Sequence, residues 1–64
     1  MTAAELRAAL AELGLTGYQF AIACHVEPST AYKWLRLKPG AYVPGYAVAI
    51  VRLLQQVRDL RRAA

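Results

Sequence analysis

Pro28 constrains this chain more than any other residue, because it falls between two short stretches that each carry the signals of a helix. Proline has no amide to donate and disfavours helical geometry at the residue before it, so no continuous helix crosses Glu27; its fixed φ suits the first turn of a new helix. Upstream, Thr16 is placed as an N-cap and Gln19 can reach back to it, which makes a capping box. Leu15 and Phe20 are spaced as a hydrophobic staple across that cap. Phe20, Ala21 and Cys24 follow as one apolar stripe, with Ala21 small enough to let a second helix cross closely. Downstream, a helix over residues 28–37 places Ala31, Trp34 and Leu35 on one face. Ser29, Lys33 and Arg36 fall opposite, with Tyr32 beside them. His25, Val26 and Glu27 are left as the turn.

Two short helices joined by a tight turn are the outline of a helix-turn-helix. Residues 16–34 resemble that motif in the phage repressor and Cro family of transcriptional regulators. Ala21 falls on the family's small residue at the helix crossing, Val26 on its buried turn residue, Thr30 on its usual threonine and Trp34 on its usual aromatic. Three positions depart from the pattern. His25 stands where the family favours glycine in a left-handed turn, a conformation that costs a residue with a Cβ about 1 kcal/mol or more. Gly17 replaces a polar residue that touches DNA, and Gln19 is the nearest substitute. Glu27 stands where a short serine or asparagine would cap the second helix, although its charge suits a helix N-terminus. In overall size, and in the segment containing Tyr42 and Pro44 before the last helix, the chain also resembles the small anti-CRISPR-associated repressors.

A chain of 64 residues makes one domain with a modest core, for which a partner subunit is a natural remedy. Its hydrophobic fraction of 58% lies above the usual 45–50% or so and argues for an additional buried face. The formal net charge is +4, and its distribution is uneven. Residues 1–26 carry Glu5 and Glu12 against Arg7, whereas Lys33, Arg36 and Lys38 face only Glu27 in the next stretch, and four arginines face only Asp59 beyond it. Positive charge begins at the second motif helix, the pattern expected of a polyanion-binding protein.

Residues 2–13 open with a second capping box, Thr2 with Glu5, and a second staple, Met1 with Leu6; Leu6, Ala9, Leu10 and Leu13 share one face. Gly14 can take the left-handed position that closes this helix, with Leu15 packing back on Leu10. Residues 37–44 hold Lys38, Pro39, Gly40 and Pro44 and are expected to cross the surface as a loop. From Pro44 or Gly45 to about Arg61 runs the longest helix, whose apolar stripe is wider than one small core requires. Tyr46, Ile50, Leu53, Val57 and Leu60 recur in steps of four and three, as in a coiled-coil seam. Leu53, Val57 and Leu60 are the expected dimer contact, the alternative being a purely intramolecular role. Arg58, Arg61 and Arg62 are expected to solvate the helix end and complement its dipole.

The fold expected is all-α: a compact domain of four to five helices over residues 1–64, with a central helix-turn-helix. The single His, single Cys and four scattered acids offer no catalytic constellation, metal cluster or phosphate-cradling loop, so an enzyme is not expected, nor a metal, cofactor or small-molecule ligand. One cysteine makes no intramolecular disulfide, and neither a signal segment nor a membrane-length apolar run is evident, which points to the cytoplasm.

The function expected is sequence-specific binding of double-stranded DNA by a dimeric repressor, with the helix over residues 28–37 in the major groove. Ser29, Tyr32, Lys33, Arg36 and Glu27 are the candidates to read bases, and Thr16, Gln19, Thr30, Lys38 and Tyr42 to hold the DNA backbone. The alternative is a protein-binding helical module, antitoxin-like or an adaptor subunit, that docks through the apolar last helix.

Overall fold

The computed structural model describes residues 1–63, which form α1 (Ala3–Leu13), α2 (Gly17–Cys24), α3 (Pro28–Leu35) and α4 (Gly45–Ala63). The fold is all-α, with four helices rather than five, and the only strand-like pairing among the described residues is an isolated antiparallel bridge between Thr2 and Tyr42.

Both capping boxes form. Thr2 Oγ1 accepts from the Glu5 amide and Glu5 Oε1 accepts from the Thr2 amide. Thr16 and Gln19 repeat the exchange at the start of α2, at 3.1 and 2.9 Å. Gly14 closes α1 at φ 71°, and the Leu15 amide donates to the Leu10 carbonyl, the long-range bond of a Schellman ending. His25 ends α2 in the same way at φ 57°, with the Val26 amide donating to the Ala21 carbonyl. It is the only non-glycine residue with positive φ among those described, so the left-handed turn expected at this position is present without a glycine.

The core lies where the four helices meet. Leu6 and Leu10 of α1, Phe20 and Ala21 of α2, Ala31 and Trp34 of α3, and Ala47 and Val51 of α4 are all buried in it. Alanines at 21, 31 and 47 are fully covered, which lets helix backbones approach where larger side chains would hold them apart. Trp34 meets Phe20 edge to face at 6.2 Å between ring centroids and Tyr46 at 5.6 Å, so one indole joins α2, α3 and α4. Such aromatic pairs add about 0.5–1.5 kcal/mol beyond the area they bury.

Three sequence expectations need correction. The second motif helix stops at Leu35, not at residue 37: Arg36 is its C-cap, and the Arg7 guanidinium of α1 donates to the Leu35 carbonyl at 2.6 Å. A cation from another helix thus satisfies an end carbonyl that a further turn would have used. The segment 37–44 is more than a surface loop. Val43 is buried, and the Ala41 and Pro39 carbonyls accept from the Ala3 and Ala4 amides at 2.8 and 3.3 Å, while the Val43 amide donates to the Met1 carbonyl. Finally, Arg58 does not solvate the end of α4; it folds back to Glu12 of α1 at 3.4 Å and to Asp59 at 3.1 Å.

Candidate nucleic-acid interface

The face of α3 turned away from Ala31 and Trp34 carries Ser29, Tyr32, Lys33 and Arg36, all exposed, with exposed Glu27 at the N-cap. Its periodicity explains this directly, since burying Ala31 and Trp34 turns the intervening positions outward. Glu27 makes no side-chain capping bond, so its carboxylate is free, and Pro28 occupies the first helical position, where no amide is lost. Thr30 is half-buried, and its amide donates to the Glu27 carbonyl at 2.9 Å.

The start of α2 adjoins this face. Thr16 and Gln19 are exposed, and their capping box turns Gln19 Oε1 toward the chain, leaving the two amide hydrogens of its side chain available to a ligand. The Gly17 and Tyr18 amides, the first two of the helix, have no hydrogen-bond partner among the described residues. Unpaired first-turn amides, together with the positive end of the helix dipole, favour an anion.

At Gly17 the backbone of α2 comes close to side chains of α3. A Cβ at this position would lie 2.7 Å from Tyr32 Cε1 and 3.0 Å from Leu35 Cδ1. The Tyr32 ring therefore rests against the opening turn of α2. This contact was missed at the level of sequence, where Gly17 shows only as the loss of a polar residue; no local signal pairs it with Tyr32.

The structure thus brings Thr16, Gln19, Tyr32 and the basic residues of α3 onto adjoining elements. Lys38 and Tyr42 are exposed but belong to the segment bonded to the chain start, where Tyr42 lies opposite Thr2. Their grouping with the α2–α3 residues rests on the sequence alone.

Leu53 (60% exposed), Val57 (45%) and Leu60 (71%) form an uncovered apolar stripe on the outer half of α4. The other two members of the seam pattern behave differently: Tyr46 packs on Trp34 and Ile50 against the core. Beside the stripe, a groove of about 420 Å³ is lined by Leu13, Leu15, Leu54 and Val57, with Arg58, Arg61 and Arg62 at its rim. Tyr18 and Ile22 add a second exposed apolar pair on α2, which sequence reasoning overlooked although their i, i+4 spacing puts them opposite the buried stripe of Phe20, Ala21 and Cys24.

Cys24 is buried, and desolvation pushes its thiol above the ordinary value. It is a core residue. Among the described residues, no group of three or more His, Cys, Asp or Glu side chains is placed to hold a metal ion, and no helix is long and apolar enough to cross a membrane. Compared with known proteins, the chain matches no family model, no curated sequence and no solved structure.

Proposed function

We propose that the protein is a sequence-specific DNA-binding regulator, a phage-type repressor of the helix-turn-helix kind, acting without catalysis. The observation that carries this reading is the outer face of α3. Its buried side is held by Ala31 and Trp34 while Ser29, Lys33 and Arg36 are exposed and Tyr32 leans on the opening turn of α2, whose first two amides are open. A helix with that face enters a major groove with its polar side chains against base edges, while Thr16, Gln19 and the α2 amides meet phosphates. A protein-docking face would instead carry large apolar anchors at its centre. Exposed large apolar side chains come in groups on α4 and α2, whereas on α3 the one such side chain, Tyr32, stands among Ser29, Lys33 and Arg36.

The exposed stripe of Leu53, Val57 and Leu60 supports a homodimer through α4, which presents two α3 helices to one side of the duplex. The operator is then an inverted repeat with half-sites about 10–10.5 base pairs apart centre to centre, or a multiple. With an unpaired cysteine and this polyanion-binding charge, the cytoplasm is its place of work.

Sedimentation combined with titrations on intact and half operators tests this. Leu53→Asp with Val57→Asp is expected to give a folded monomer whose affinity for the intact operator falls by roughly 100-fold or more, since two linked contacts become one. A wild-type monomer binding half and intact sites equally well would refute the dimer. Absence of any sequence preference at low salt would favour the protein-binding module.

A further inference from the structure

We propose that Gly17 is a positioning residue for Tyr32, and that the ring it holds reads a thymine methyl group in the operator; this rests on the DNA-binding reading above. A side chain at residue 17 and the ring of Tyr32 compete for one space. The Cβ of any other residue would come within 2.7 Å of Cε1 and 3.1 Å of Cδ1, both on one edge of the ring. Leu35, one turn further along α3, closes the same pocket at 3.0 Å from that Cβ position. With one edge seated on the α2 backbone, the ring is confined before any ligand arrives, and 38% of the residue is still exposed.

A side chain already confined loses little rotamer freedom on binding, so its contact discriminates at low entropic cost. Tyr32 lies on the outward face with Ser29, Lys33 and Arg36, and among them it alone offers an aromatic edge. The apolar feature that the major groove offers to such an edge is the C5-methyl of thymine. The phenolic hydroxyl is not required for that contact.

Gly17→Ala adds only the offending Cβ at the first position of α2, where alanine is a good helix former, and what it meets are side-chain atoms of Tyr32 and Leu35 rather than backbone. The ring is displaced and the fold retained. Binding to a panel of operators, with thymine replaced by uracil one position at a time, reads the result. The wild type is expected to lose about fourfold in affinity at one position of each half-site, the worth of one buried methyl group. Tyr32→Phe keeps that loss, whereas Tyr32→Ala, Gly17→Ala and the double variant are equally indifferent to the methyl. A Gly17→Ala protein with unchanged preference overturns the inference and leaves the DNA-binding reading standing. A uniform loss across all sequences overturns it too, because it puts Tyr32 on phosphate. A wild type with no sequence preference removes both.

Discussion

Helices α1 and α2 begin with the same local device and meet opposite fates. Each has a threonine N-cap and a partner three residues on, and each box is formed. At α1 the two remaining amides, Ala3 and Ala4, are taken by the carbonyls of Ala41 and Pro39, so every first-turn donor is satisfied within the chain. At α2 the corresponding amides, Gly17 and Tyr18, have no partner among the described residues. One end is closed by tertiary structure and the other is left open. The capping sequence makes a helix start well; what lies in front of it decides whether the remaining first-turn donors are used within the chain.

The contrast can be broken most heavily by removing the support behind the open end. Trp34 is buried between Phe20 and Tyr46, and Trp34→Ala should cost roughly 3–5 kcal/mol, a large part of what so small a domain has. Denaturant unfolding checks this, and an unchanged midpoint would remove the indole from its place in the core. Next come the side chains of the open face. Lys33→Ala or Arg36→Ala should each cost about 1–3 kcal/mol of specific binding and relax preference at one position of both half-sites. Titrations on base-substituted operators give the answer, with melting temperature unaltered.

The sharpest comparison uses the two caps themselves. Thr2→Ala and Thr16→Ala should each lower stability by about 1 kcal/mol, because each removes one capping oxygen. Only Thr16→Ala should also weaken DNA binding; equal binding by the two variants would deny the open end its role. The smallest effect distinguishes the boxes by pH. The hydrogen bonds from the Thr2 backbone and side chain hold the Glu5 carboxyl below its ordinary value of 4.5, whereas Gln19 does not titrate. Glu5 therefore contributes stability that is present above its unfolded value and lost as pH falls through the lower folded one. Glu5→Gln should flatten that acid-side slope in thermal melts, and an unchanged slope would assign it elsewhere.

What the sequence disclosed, and what it hid, follows the same division. Caps, the Gly14 ending, the left-handed His25 and the outward set of α3 were legible because each depends on residues within one or two turns. The stop at Leu35 was not, since no glycine or proline marks it and the guanidinium that meets its carbonyl comes from Arg7. The pairing of Gly17 with Tyr32, of Arg58 with Glu12 and of residues 39–43 with the chain start likewise join distant segments. Of the candidate site, the α3 residues could be placed from periodicity, whereas Lys38 and Tyr42 could not, because the path of their segment is set by the chain start it bonds to.

That last pairing has a bearing on the order of assembly. During synthesis, the residues of α1, α2 and α3 all emerge before Val43, whose amide bonds the carbonyl of Met1. The beginning of the chain is thus finished late, after closure of a loop that spans most of the molecule. Helices α2 and α3, built from neighbours in sequence, can form first and wait for the clasp.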